Sequence, residues 1–268
     1  MGIITLTTDF GWQDGYVAAM KGVILSICPS ATLVDVTHGI PPQDAWHGAF
    51  VLHTAAQAFP PGTVHLAVVD PGVGTERRAV AVQTDRAFFV APDNGLLSFA
   101  LPQGLDYTAV ALSNPAYHRR PVSDTFQGRD IFAPAAAYLH NGVPIGALGA
   151  PVRDLVRLAF PRAAAAAGEK IAGEAIYIDH FGNVISNIRA EDGTWDRFAN
   201  LRVGRHKVSR FCRTYGEAAP GELIALIGSS GYLEVAQRDG SAAHRLDAKP
   251  GIAIQVAFKE PAGRPPRQ

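Results

Sequence analysis

Residues 3–11 read IITLTTDFG, and residues 63–74 read TVHLAVVDPGVG. In each stretch an apolar, β-rich run stops at an aspartate, Asp9 or Asp70, with glycine close behind. A helical pattern follows the first, carried by Val17, Met20, Val23, Ile24 and Ile27 at three- and four-residue spacing before Pro29. Working outward, a strand is expected at 32–37, a helix over about 43–58, and strands at 63–69, 79–84 and 87–91. The last runs into Pro92-Asp93-Asn94-Gly95, and the segment 121–140 opens as a turn and becomes a helix from about 129. Solidly apolar strands alternating with helices predict a mostly parallel sheet covered on both faces. Ligands of such sheets sit beyond the carboxyl ends of the strands. Asp9 and Asp70 fall there.

From residue 161 the chain reads PRAAAAAG, a helical turn or a plain spacer that marks a change of character. Beyond it, short β-like runs at 171–178, 184–188, 201–203, 206–210, 222–227, 232–236 and 252–258 are separated by Gly, Asp and Asn turns. The expected architecture is therefore of the α/β class. An N-terminal α/β domain (1–162) with a central, mostly parallel sheet precedes a smaller C-terminal antiparallel β-barrel-like domain (169–268). The tail PAGRPPRQ (261–268) is expected to fray.

Composition excludes several classes of function. Lys+Arg and Asp+Glu both number 24 in 268 residues, so no basic field exists for a nucleic acid, and Arg119-Arg120 is too short to make one. No apolar run is long enough to span a membrane. The start lacks the basic and apolar regions of a signal peptide, and Leu6 stands where a myristoylation site needs Ser or Thr. Two cysteines, Cys28 and Cys212, make no disulfide framework and read as reduced, buried thiols. A cytoplasmic protein is expected.

Several stretches carry polar groups in suggestive places, each with a plainer alternative. Asp9 either caps the following helix or accepts the hydroxyls of a ribose from a strand end, and Asp14 lies five residues on. In Asp70-Pro71-Gly72-Val73-Gly74-Thr75-Glu76-Arg77-Arg78, two glycines permit close backbone approach to a ligand. The stretch lacks the endings of phosphate and dinucleotide loops, and its plainer reading is a tight turn with a surface Asp–Arg pair. Gln127-Gly128-Arg129-Asp130 sits at a helix start, where Arg129 and Asp130 could simply pair and cap. Asp179-His180-Phe181-Gly182-Asn183 ends the first strand of the second domain, and Ser229-Ser230-Gly231-Tyr232 reads equally as a hairpin turn. The nine histidines show no zinc-ligand spacing, so no metal is expected, and there is no Gly-x-Ser-x-Gly elbow.

Together the stretches TTDFGWQDGY (7–16), VDVTHGIPPQD (34–44), VVDPGVGTERR (68–78), APDNGLLS (91–98), FQGRDIFAPAA (126–136), IDHFGNVISNI (178–188) and GSSGYLEVA (228–236) resemble the S-adenosyl-L-methionine hydroxide adenosyltransferase family, relatives of the fluorinating and chlorinating enzymes. The resemblance spans nearly the whole chain in order. It implies hydrolysis of S-adenosyl-L-methionine to adenosine and L-methionine by a water-derived hydroxide at ribose C5′, with no cofactor, in a homotrimer with sites between subunits. It implies that Asp9 binds the ribose hydroxyls, that Asp14 faces the methionine end, and that Asn94 belongs to the substrate-binding set. Phe181 and Asn183, from a neighbouring subunit, are implied in the adenine pocket, with Ser229 or Ser230 at the amino-acid part. Asp70 and Arg77 match two of three residues around the attacking water. The third departs, because the family's His is Gln127 here, which cannot accept a proton at neutral pH. That departure leaves open a protein that binds S-adenosyl-L-methionine or adenosine with little turnover. A halide-dependent transferase is disfavoured, since the carboxylate of Asp70 repels a halide.

Overall fold

The computed structural model describes residues 2–260 apart from 103, 105 and 168, so the tail expected to fray lies outside the described residues. The chain divides into two compact units, the first ending at Ala159 and the second beginning at Phe160.

The first unit holds β1 (Ile3–Thr8), α1 (Tyr16–Ile27), β2 (Thr32–Thr37), α2 (Ala45–Ala56), β3 (Thr63–Val68), β4 (Ala79–Gln83), β5 (Ala87–Pro92), β6 (Thr108–Ala111) and α3 (Ala133–His140). Its six-stranded sheet has the order β2-β1-β3-β5-β4-β6. The pairs β2/β1, β1/β3 and β3/β5 are parallel, and β4 runs against both of its neighbours. Central β3 is buried along its whole length. Val64, Leu66 and Val68 pack with Met20 and Ile24 of α1 and the alanines of α3, whereas Ala67 and Val69 pack with Leu52 of α2. Alternation along one strand thus supplies two cores, one on each sheet face. The reversed β4 starts at the edge where the parallel strands end, with Ala79 opposite Pro92, so the loop leaving β3 stays on that edge.

The short β6 was not expected from the sequence, since four residues, TAVA, carry too little pattern to stand out from a loop. The helix expected from about residue 129 is resolved into a π-helical turn, Gly128–Phe132, leading directly into α3.

The second unit holds β7 (Ala164–Ala166), β8 (Lys170–Ile178), β9 (Val184–Arg189), β10 (Phe198–Val203), β11 (His206–Val208), β12 (Leu223–Ile227), β13 (Tyr232–Gln237), α4 (Ala242–Leu246) and β14 (Ala253–Phe258). The path β11-β10-β14-β8-β9-β13-β12 is antiparallel at every step. A bridge between Phe211 and Ala225 ties its two ends, which gives a nearly closed barrel. Ile171, Val184, Leu201, Val235 and Val256 fill it. The alanine run is neither helical turn nor spacer: Ala164–Ala166 pair with β8 as a short edge strand. A few alanines cannot offset the cost of nucleating a helix, whereas an existing strand edge offers ready partners. Cys28 and Cys212 are both free and buried.

His65 lies within β3 at 1% exposure, with its Nδ1 2.8 Å from Thr5 Oγ1 and its ring stacked on Phe89. Burial pushes its pKa down from 6.5 to about 4. Above pH 6.5 the ring is neutral in both folded and unfolded chains. As pH falls from 6.5 toward 4, the unfolded chain binds a proton that the folded one refuses, and stability drops. Over that window the wild type is expected to lose about 3 kcal/mol more than a His65→Gln variant, read from urea unfolding at stepped pH. Parallel pH profiles would reject the assignment.

Candidate active site

Asp70 follows β3 at the carboxyl edge of the sheet, and Arg77 returns to the same edge just before β4. The loop between them folds tightly: Gly74 adopts φ +78°, and a Cβ there would come within 2.7 Å of the Asp124 carbonyl oxygen. Arg77 grips Asp70 with both sides of its fork, Nε donating to Oδ1 at 2.8 Å and Nη2 donating to Oδ2. The same Nη2 donates to Gln127 Oε1, and the guanidinium lies 5.2 Å over the Phe132 ring. The side chains of Arg77 and Asp70 are only 11% and 6% exposed. The ion pair is thus largely covered rather than lying open on the surface as the plainer reading allowed, although the turn that carries it is partly exposed. Arginine only donates, so Gln127 must turn its oxygen toward Arg77 and keep its NH2 as a donor.

Asp9 immediately follows β1, the parallel neighbour of β3. It does not cap α1, whose N-cap is Gly15, and its Oδ2 instead accepts the Gln43 N–H at 2.8 Å. Behind it runs a polar relay that sequence reasoning left without a role. Thr8 Oγ1 is 2.8 Å from His38 Nδ1, His38 Nε2 is 3.0 Å from Asp35 Oδ1, and Lys21 Nζ is 2.6 Å from Asp35 Oδ2. Burial works against the Asp35 charge, but Lys21 and His38 outweigh it and hold this carboxyl below the usual range. Asp14 is exposed just before the cap of α1. Trp12 and Tyr16 are exposed nearby in sequence, Trp12 edge-on to His38 and Tyr16 against Phe10 and Phe126.

Asn94 is engaged with backbone, donating to the Val69 carbonyl at 2.8 Å and accepting from the Leu96 N–H. It therefore ties the turn after β5 to the residue preceding Asp70. Asp130 is fully buried and bound by Arg129, Arg119 and the Ser123 N–H, so this part of the motif is a structural anchor.

In the second unit Asp179 Oδ1 accepts the N–H groups of Phe181 and Asn183, and its Oδ2 accepts the Asn183 side-chain amide. Gly182 between them has φ +81°, and a Cβ there would strike Ser241. The result is a rigid loop that buries Asn183 and leaves Phe181 74% exposed. Both line a cavity of about 610 Å³ shared with Tyr215, Ser229, Glu234 and Gln237. That size suits a small molecule. Of the two serines the sequence left open, Ser229 lines the cavity, and Ser230 lies beside it in the β12–β13 turn. Tyr215, Glu234 and Gln237 were missed; the one signal was a charged residue inside the apolar strand YLEVAQ. Burial raises the Glu234 pKa, and burial with the Glu234 charge pushes Tyr215 up to about 12.

Residues 4–149 match the model of the SAM hydroxide adenosyltransferase N-terminal domain, and residues 173–255 match that of its C-terminal domain. An (R)-S-adenosyl-L-methionine hydrolase of Salinispora tropica is 44% identical over 259 residues, covering 94% of this chain and 97% of its own. A fluorinase of an Actinoplanes species is more distant, at 30% identity over 95% of this chain and 97% of its own. A crystal structure of an uncharacterized conserved protein from Thermotoga maritima superposes with a TM-score of 0.89 at 36% identity, covering 95% of this chain and 99% of the other.

Replacing Arg77 by methionine leaves the largely covered Asp70 carboxylate without its counter-ion, and the first unit is expected to lose about 2 kcal/mol in urea unfolding. Adding Asp70→Leu should recover most of that loss, because the uncompensated charge is then gone. A double variant no more stable than Arg77→Met would overturn this account of the pair.

Proposed function

The chain belongs to the SAM hydroxide adenosyltransferase family, and from that membership we propose that it hydrolyses S-adenosyl-L-methionine to adenosine and L-methionine. The observation that carries the chemistry is the half-buried Asp70–Arg77–Gln127 cluster at the carboxyl edge of the sheet. Water attacks ribose C5′, the C5′–S bond breaks with its electrons going to sulfur, and methionine departs as a neutral thioether. No general acid is needed. The proton lost by water passes to Asp70, which Arg77 holds in place, while the Gln127 amide donates to the water and positions it. A carboxylate in this position repels halide, which supports water as the nucleophile.

Asp9 takes the ribose hydroxyls in this reading, with Asn94 steadying the turn beside Asp70. Asp14 faces the ammonium of the methionine part, and Ser229 or Ser230 meets its carboxylate. The adenine enters the cavity at Phe181 and Asn183. Neither metal nor redox cofactor is required, since the sulfonium is already a leaving group of high quality. We place the protein in the cytoplasm as a homotrimer whose sites are completed by neighbouring copies. Family membership supports the shared-site assembly, as do the exposed aromatic rings beside polar groups, Trp12 in one unit and Phe181 in the other. Among the described residues no helix is long and apolar enough to cross a membrane.

Incubation with S-adenosyl-L-methionine in ¹⁸O-water and chelator should give equimolar adenosine and methionine, with the label in the adenosine. Absence of adenosine from folded protein would reject the function, and unlabelled adenosine would reject attack at C5′. Asp70→Asn should lower kcat by a hundredfold or more, on the scale of acid–base groups. A large gain in kcat from Gln127→His would instead favour a binding protein with little native turnover. Light scattering should return three times the 28.4 kDa chain mass, and a monomer would remove the shared-site arrangement.

A further inference from the structure

Three carboxylates are buried among the described residues: Asp93, Asp130 and Glu234. The first two are well supplied with donors, Asp93 by Arg78 and the Val156 N–H, and Asp130 by two arginines and the Ser123 N–H. Glu234 differs. At 6% exposure it receives one hydrogen bond, from the Tyr215 hydroxyl to Oε2 at 3.0 Å. It sits on β13, whose Leu233 and Val235 face the barrel core, so Glu234 points to the opposite face, where it lines the 610 Å³ cavity. The carboxyl lies against Gly228, where a Cβ would come within 1.7 Å of Oε1. A glycine is thus required to seat it.

The neighbouring charges do not neutralise it. Arg238 also lines the cavity but donates to the carbonyls of Gly216 and Ala218, bracing the loop that carries Tyr215. Asp179 adds negative charge. A buried carboxylate with unused lone pairs is costly unless a ligand supplies the missing donor. Asn183 is aligned to the same purpose: its NH2 is drawn to Asp179, which leaves its oxygen as an acceptor. Around the exposed ring of Phe181 the cavity therefore offers a flat apolar surface with acceptors beside it.

We infer that Glu234 sets the base specificity of this site, its Oε1 accepting a hydrogen bond from the exocyclic amine of a 6-aminopurine. The inference rests on the proposed function, in which this cavity takes the base of the substrate. A 6-oxo purine would set oxygen against oxygen, and an unsubstituted purine would leave the carboxylate unpaired. Sites built to pair a substrate donor reject analogues lacking it far more strongly than apolar pockets reject a missing methylene.

Calorimetry on the wild-type protein with adenosine, purine riboside and inosine tests this without any substitution. Adenosine should bind at least tenfold more tightly than either analogue, the scale of a hydrogen bond to a charged group. In Glu234→Gln the amide keeps its oxygen for Tyr215 and turns its NH2 into the cavity, so the adenosine-to-inosine ratio should fall at least tenfold. Equal wild-type affinities, or a ratio unmoved in a folded Glu234→Gln variant, would overturn the inference. So would a loss confined to S-adenosyl-L-methionine, which would mark Glu234 as a partner of the sulfonium. If the wild type hydrolyses S-adenosyl-L-methionine yet ignores the amine, the Glu234 inference alone falls. If it neither hydrolyses it nor binds adenosine, the functional reading falls too.

Discussion

Arg77 clasped on Asp70 is the interaction around which the first unit is arranged. Taking two such charges out of water costs several kcal/mol each, and their attraction offsets this only with good geometry and further partners. Both conditions hold here. The fork meets both carboxylate oxygens, Gln127 accepts from the same guanidinium, and the Phe132 ring lies beneath it. With Gln127, the pair ties the loop between β3 and β4 to the π-helical turn before α3, fifty residues further along the chain. It forms because β4 runs against its neighbours. A fully parallel sheet would carry the chain away to the opposite edge before the next strand, and Arg77 would not return to Asp70.

The two units use carboxylates in a common way and then diverge. Asp179 gathers backbone N–H groups and a side-chain amide, which stiffens a loop around a positive-φ glycine and leaves a phenylalanine ring standing in solvent. Asp9 likewise accepts a backbone N–H, from Gln43, whose own φ is positive. In both places a strand end is tied down by an acid while other polar capacity stays open. Asp130 and Asp93 differ in the kind of partner, since arginine as well as backbone N–H groups holds each of them in place.

Much of this was legible beforehand because strand ends advertise themselves. An apolar run broken by Asp cannot continue into a buried sheet, so Asp9 and Asp70 were placed at the edge by hydrophobic patterning alone. The seven ordered motifs then linked Asp70, Arg77 and Gln127, although only the folded chain shows Gln127 accepting from Arg77. What escaped were features that depend on distant partners. The alanine strand β7 exists because β8 offers an edge, and alanine itself carries no strand signal. Asp9 looked as fit for a helix cap as for a ligand until Gly15 took the cap. Tyr215 meets Glu234 across nineteen positions and from a loop, a contact with no periodicity to betray it.

Gln127 alters the division of labour in the proposed reaction more than it alters the architecture. Arg77 needs an acceptor at this position, and an amide oxygen serves as well as an imidazole nitrogen. The positioning network therefore survives the exchange of residue. Proton transfer does not, because the amide cannot take a proton at neutral pH, and Asp70 is left as the one acceptor in the cluster. Two of that carboxylate's acceptor sites already hold Arg77, so water must approach from the remaining ones, which restricts its orientation before attack. Such restriction is useful when the leaving group is a sulfonium, since bond breaking is easy and alignment of the nucleophile with C5′ is the harder part. A site that fixes water between one acceptor and one amide donor can therefore forgo a second base and still favour displacement.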